Sequence, residues 1–241
     1  MSIDAEKFLA DHYKALGDFR NDFRNYNLAI LVAKFINGEK VLDIGSGAGF
    51  LLNEIEKKGK KVYGIEPNEE LVKLTNASFS DLKVYEGMAE DLPNLDIPVV
   101  DTILMIDVLE HVEDDKLQVK KVFSKLKSGG EFVVIVPAYQ ALYGIRDENQ
   151  GHFRRYSMKV LIDLLKDAGF EIKKRRYWNI LGVLPYIISE KIFKRPLESK
   201  IRTSKRRGFM SKLFDFWFRN IENKINFGVG LSIVVVAKKP S

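Results

Sequence analysis

The sequence contains no cysteine and only three histidines in 241 residues. Without thiols it can form no disulfide, thiolate metal site, iron–sulfur cluster or cysteine nucleophile. It also lacks any uninterrupted apolar run long enough to span a bilayer, and the stretch from Met1 to Lys14 is polar, with no signal-peptide core. A cytoplasmic location is therefore expected. What is present, 46% hydrophobic and 30% charged residues, is the balance of a soluble globular protein whose length suits one large α/β domain or a domain with an appendage.

Acidic charge is scarce in one place. Between Lys191 and Lys212 there are nine cations (Lys191, Lys194, Arg195, Lys200, Arg202, Lys205, Arg206, Arg207 and Lys212) against Glu198 alone, a local +8 in a chain of net +6. The remaining residues therefore carry −2, and the basic character belongs to one late segment.

The most informative stretch is Lys40-Val41-Leu42-Asp43-Ile44-Gly45-Ser46-Gly47-Ala48-Gly49-Phe50. A short apolar run ending in an acid, three glycines at alternate positions and then a helical pattern (Phe50, Leu51, Leu52, Ile55) read as strand, tight turn and helix N-terminus. Glycines let backbone pass close beneath a ligand, and the helix start offers free N–H groups, so this is a nucleotide-binding corner. A dinucleotide fingerprint needs Gly-x-Gly-x-x-Gly. Here position 50 is Phe and the glycines run Gly-x-Gly-x-Gly.

Residues before Lys40 predict a helix stopped at Gly38, with Leu28, Leu31, Val32 and Phe35 on one face. Such a helix could lie across the cleft, but Arg24, Asn25 and Tyr26 are expected as solvated helix residues. Lys61 to Glu66 predicts a second strand, Glu69 to Asn76 a helix, Lys83 to Tyr85 a third strand and Val99 to Ile106 a fourth. Asp114 to Leu126 is amphipathic, Gly130 to Pro137 predicts a fifth strand, and Ser157 caps a helix through Ala168. Phe170 to Ile172 opens another strand, and Leu231 to Ala237 is the last. Alternating strands and helices imply right-handed βαβ units in a doubly wound sheet. The expected division is a helical segment over the cleft (1–39), a core (40–178), an apolar and basic insertion (179–228) and the last core strand with its tail (229–241).

Glu66 follows Asp43 by 23 residues, close to the ~20 at which a strand-end acid holds a ribose diol. Further on come Gly87-Met88-Ala89-Glu90-Asp91-Leu92-Pro93, then Asp107-Val108-Leu109-Glu110-His111-Val112, then Lys127-Ser128-Gly129-Gly130. This ordered set resembles the class I S-adenosylmethionine (SAM)-dependent methyltransferases, especially the small-molecule branch with the ubiquinone- and menaquinone-type enzymes. The resemblance runs motif by motif from Lys40 to Pro137. It implies a Rossmann-like seven-stranded sheet with helices on both faces, a helical insertion before the last strand, and SAM as methyl donor. By the same resemblance, Asp43, Gly45, Gly47 and Gly49 would line the methionine half of SAM, with Ser46 and Phe50 in the same corner. Glu66 would hold the ribose, Pro67 and Met88 would pack on adenine, Ala89 and Glu90 would approach its edge, and Asp107, Leu109 and His111 would close the other side.

Methyl transfer from a sulfonium needs alignment, exclusion of water and, for a hydroxyl acceptor, removal of a proton. Asp147 to Tyr156 lies in an expected loop over the cleft, and its Gly-His-x-Arg-Arg-Tyr resembles a signature of a subgroup associated with glycan or lipid-linked saccharide assembly. His152 suits a general base, and Arg154, Arg155 and Tyr156 suit recognition of substrate. The other reading is an arginine–acid network that staples the loop. No metal is expected. Some ubiquinone-branch enzymes carry Glu-x-x-Glu-His where this chain has Asp107-x-x-Glu110-His111, a departure at the first ligand.

Tyr177 to Ile188 is apolar and aromatic, and Met210, Leu213, Phe214, Trp217, Phe218, Ile221 and Ile225 predict one stripe of a helix from Ser211 to Asn226. Beside the basic run, these segments fit a substrate cap or peripheral contact with an anionic membrane. Nucleic acid is disfavoured, because amino-methylating DNA and RNA enzymes place Asp/Asn-Pro-Pro-Tyr/Phe where this chain has Asp107-Val108-Leu109-Glu110. The expectation is methyl transfer to a small-molecule or lipid-linked acceptor, glycan or quinone-like, at oxygen. An RNA methyltransferase and a catalytically silent SAM-binding regulatory protein are the alternatives.

Overall fold

The computed structural model describes residues 22–79, 81–194 and 209–241. Seven strands form one sheet in the order β3-β2-β1-β4-β5-β7-β6, where β1 is Lys40–Ile44, β2 Lys61–Glu66, β3 Lys83–Glu86, β4 Val100–Ile106, β5 Leu126–Pro137, β6 Glu171–Trp178 and β7 Ser232–Lys238. The first five pair in parallel, and β7 runs antiparallel between β5 and β6. Strand order reverses between β1 and β4, so the carboxyl ends of these strands open the crevice in which α/β sheets take ligands.

The helices are α1 (Phe23–Val32), α2 (Phe50–Glu56), α3 (Glu69–Ser78), α4 (Asp115–Lys125), α5 (Ile145–Gln150), α6 (Met158–Asp167), α7 (Val183–Tyr186) and α8 (Phe209–Trp217). The N-cap expected at Ser157 forms, and two more caps join it. Asn68, Asp114 and Ser157 each accept a hydrogen bond from a backbone N–H three residues on, at the start of α3, α4 and α6. Two apolar cores flank the sheet. One is built on Leu42, Ile103, Met105, Phe132 and Val134 with α4 and α6, and the other on Val41, Leu104, Val133 and Ile135 with α1 and α2. Alternate residues of the same strands serve opposite faces, which is why these strands read as unbroken apolar runs.

Four local differences from the sequence reading have physical causes. Strand β6 continues to Trp178 through Lys173, Lys174, Arg175 and Arg176, because an edge strand carries charge where a central one carries Val or Ile. Strand β5 begins at Leu126, ahead of the glycine pair, with an irregular register against β4. The stretch from Asp147 to Gln150 is helical and belongs to α5. The long helix expected to Asn226 is α8 followed by a π-helical turn, Phe218–Glu222. A π turn holds more residues than an α turn, so the stripe drifts across it: Phe218 at its start is buried while Ile225 beyond it is exposed.

The segment between β6 and β7 is tied down at its second half. The Trp178 indole donates to Asn223, Asn223 donates to the Asn27 carbonyl, and Asn27 donates to Asp215, so α8 and its π turn sit on α1. Glu222, fully buried, accepts from the Ile180 N–H and the Trp217 indole.

Candidate active site

The glycine corner forms as its sequence demands. Gly45, Gly47 and Gly49 all have positive φ (77°, 56° and 72°), a region that costs other residues strain. Two of these positions also lack room. A Cβ on Gly45 would stand 2.3 Å from Val108 Cγ2, and one on Gly49 would stand 2.5 Å from Thr75 Cγ2. The loop after β4 is thereby packed directly on the corner.

Glu66 sits at the end of β2, buried, and accepts from the Gly47 N–H through Oε2 (2.8 Å) and from the Asn68 N–H through Oε1 (3.0 Å). Asp43 is buried beside it. Burial and the neighbouring Glu66 push the Asp43 carboxyl up to about 8. Two adjacent buried acids form a ready site for a cation-bearing ligand. Ser46 is buried with no hydrogen-bond partner for its hydroxyl, while Pro67 and Phe50 are half-buried at the same corner. Met88 is 49% exposed, Glu90 is exposed, and Ala89 is buried beneath them. Leu109 is fully buried in the core, with Asp107 and His111 half-buried on either side of it in the chain.

Asp107 adopts φ 52°, rare for a residue with a side chain, and its Oδ2 is 2.8 Å from Arg24 Nη1. Burial alone would lower the Arg24 pKa, but Asp107, with Asp22 and Glu110, raises it. Arg24 therefore turns inward from α1, against the expectation of a solvated residue, because the half-buried Asp107 carboxylate after the strand end gives it a charge partner.

Next to Asp107 stands a cluster from two separate segments. Glu110 and His111 come from the 3-10 turn after β4, and His152 follows α5. The two imidazole rings meet edge to face with centroids 4.6 Å apart, and His152 Nε2 is 4.0 Å from Glu110 Oε1. Burial, then the negative Asp107, drives the Glu110 carboxyl well above its ordinary value. Burial and the adjacent His152 lower His111 to about 4, so this ring is neutral near pH 7.

His152 Nδ1 lies 2.8 Å from Asp147 Oδ1. Burial opposes ionisation of Asp147, but hydrogen bonds from His152 and Arg155 prevail and hold it at about 2. An ionised carboxylate only accepts, so in neutral His152 the proton sits on Nδ1 and the Nε2 lone pair is free.

The Arg-Arg-Tyr part of the motif faces inward. Arg155 Nε is 2.9 Å from both oxygens of Asp147, and its guanidinium also meets the Ala138 carbonyl and the Tyr186 hydroxyl. Arg154 donates to the Val112 and Glu113 carbonyls and pairs with Asp115. Tyr156 is fully buried, its hydroxyl 2.8 Å from Asp115 Oδ2. The structure thus gives all three internal partners, the stapling arrangement open in the sequence. Sequence reasoning reached Asp147 only through the alternative of an arginine–acid staple, named Glu110 only within a disfavoured metal pattern, and assigned Tyr186 no role. The first two were within reach, one five residues before His152 and the other adjoining His111, whereas Tyr186 lies in an apolar run that gives no such hint.

A sequence profile described as "Methyltransferase domain" matches residues 12–174. The chain belongs to the methyltransferase domain family. Among relatives of this methyltransferase, a "probable S-adenosylmethionine-dependent methyltransferase" of Mycolicibacterium smegmatis is 30% identical over 138 residues, covering 56% of this chain and 53% of that protein. A ubiquinone biosynthesis O-methyltransferase of Idiomarina loihiensis is 34% identical over 98 residues, covering 39% of this chain and 40% of its own. The matches thus span about half the length of these relatives or less. A SAM-dependent methyltransferase from Archaeoglobus fulgidus shares the fold with TM-score 0.61 at 21% identity, covering 91% of this chain and 94% of that one.

Proposed function

We propose that this methyltransferase transfers a methyl group from SAM to a hydroxyl of a small or lipid-linked acceptor, of glycan or quinone-like class. SAM is the donor: the glycine corner takes the methionine half, Asp43 and Ser46 meet its polar groups, and Glu66 exchanges its two backbone N–H partners for the ribose diol. Pro67, Met88, Ala89 and Glu90 receive the adenine, with Asp107, Leu109 and His111 forming the far wall.

The observation that carries the acceptor assignment is the Glu110–His111–His152 cluster, with His152 fixed by Asp147, beside the wall formed by the loop after β4. The acceptor O–H ionises at this cluster, where His152 is indispensable. The oxygen then attacks the methyl carbon in line with the C–S bond, and the bonding pair returns to sulfur as S-adenosylhomocysteine leaves.

A lipid-linked acceptor is favoured by the segment that links β6 to β7. Leu184, Ile192 and Phe193 are each about two-thirds exposed, and Phe216 is 58% exposed. In sequence these residues flank the basic run, most of which (195–208) lies outside the described residues, and apolar side chains beside cations are the combination that docks on anionic lipid headgroups at a cytoplasmic membrane face.

Isothermal titration should detect SAM and S-adenosylhomocysteine binding, weakened strongly by Asp43→Ala and Glu66→Ala. Labelled SAM incubated with lipid, glycan, quinone-precursor and RNA fractions should mark a lipid or small-molecule fraction. Labelled RNA, or no labelled fraction at all, would overturn the acceptor class.

A further inference from the structure

The cluster described above has the donor set of a metal centre, against the expectation of none, with His152 from a separate segment as a ligand in place of the departing first position of the Glu-x-x-Glu-His pattern. One ligand atom from each of Glu110, His111 and His152 lies within 4.8 Å of the others. A tetrahedral ion with bonds of 2.0–2.1 Å holds its ligands about 3.4 Å apart, so small side-chain rotations would close the set.

Three further observations point to a ligand. Glu110 is 1% exposed, yet its Oε2 has no hydrogen-bond partner, an expensive state for a buried carboxylate oxygen. The nearby guanidinium groups are engaged elsewhere, Arg24 by Asp107 and Arg155 by Asp147. Both imidazoles are also oriented through one nitrogen, His152 by Asp147 Oδ1 and His111 by the Gly151 backbone carbonyl. Metal-binding histidines are usually held in this way, with the outer N–H on a carboxylate or carbonyl and the other nitrogen left to ligate.

We infer that Glu110, His111 and His152 bind one divalent ion of borderline softness, such as Zn2+ or Co2+, with an open coordination position for the acceptor hydroxyl. Two imidazoles and one carboxylate suit such ions better than Mg2+, which prefers oxygen ligands alone. Three protein ligands leave the open position of a catalytic site, where a bound hydroxyl ionises near neutral pH and its proton passes to solvent. His152 then acts as ligand, which refines how the cluster ionises the acceptor and rests on the function proposed above. Binding of the ion itself does not.

The test uses the whole chain without an affinity tag, stripped with chelator and titrated with Co2+ alone. The expected result is one equivalent bound, visible as d–d absorption and reversed by Zn2+. His152→Ala and Glu110→Gln should abolish the absorption while leaving SAM affinity and thermal unfolding near those of the parent. Asp147→Asn, which alters the outer partner of His152 but keeps all three proposed ligands, should weaken Co2+ by about 10- to 100-fold, measured where the variant is still fully folded. No stoichiometric binding, or binding that survives both ligand replacements, would overturn the site. SAM binding without Co2+ binding would leave the methyltransferase assignment intact and return the ionisation to a metal-free His152.

Discussion

Asp147 is the residue on which most of the site converges, since it fixes His152, neutralises Arg155 and accepts the Gly144 N–H. Removing one partner of a buried ion pair leaves an uncompensated charge, so Asp147→Asn should cost about 3 kcal/mol in urea unfolding. The pH dependence has a definite sign. The folded carboxyl is depressed from 3.8 to about 2, so its contribution is fully present above pH ~4 and is lost as pH falls through 2. Asp43 behaves oppositely. Its carboxyl is raised to about 8, so unliganded stability falls as pH rises from about 4 to 8. Binding of cationic SAM beside it should expel a proton in that window. Titration at pH 6.5 in two buffers of different ionisation enthalpy should give different heats, and the difference should vanish in Asp43→Asn.

Among the elements, the glycine corner is the least tolerant of change. Gly45→Ala meets both a Cβ clash with Val108 and a positive φ, so the protein should lose SAM affinity and about 1–3 kcal/mol of stability. Adding Val108→Ala should recover the steric part and leave the backbone strain. Helix α1 is fastened at one end by Arg24–Asp107 and along its face by Leu28, Leu31 and Val32. Arg24→Ala should therefore speed hydrogen exchange in Phe23–Val32 and leave β1 protected. The legibility of these elements followed local chemistry. Strands β1 and β2 and the Ser157 cap of α6 could be read from the sequence because short-range pattern and burial agree there. Arg24 could not, since its partner is 83 residues away and solvation is the ordinary fate of a helix arginine. The same holds for Tyr186 and Asp115, the distant partners of Arg155 and Tyr156, whereas the Arg155–Asp147 pair, eight residues apart, was open in the sequence as the arginine–acid staple.

Across the whole molecule, the alternation of strands and helices was enough to give the doubly wound sheet, while the antiparallel seating of β7 was not visible in any local pattern. The placement of charge has a consequence at this scale: along the sequence the cations of 191–212 come next to Ile192 and Phe193 and just after Leu184, all three exposed, in a chain whose remainder is slightly acidic. Co-sedimentation with phosphatidylserine vesicles should retain the protein at low salt. Neutralising six of the nine cations should release it, at about 1 kcal/mol per charge removed.

Strand β7 also governs how the chain can be made. It lies between β5 and β6 yet follows Trp178 by more than fifty residues. A ribosome adding roughly 5–20 residues per second needs about 3 to 10 s to supply it. Through that interval β5, with Phe132, Val134 and Val136 already threaded into a nascent core, presents an unpaired apolar edge, and β6 has no neighbour. Newborn chains should therefore depend on a holding chaperone at one identifiable stage of translation, after Trp178 emerges and before Ser232 does.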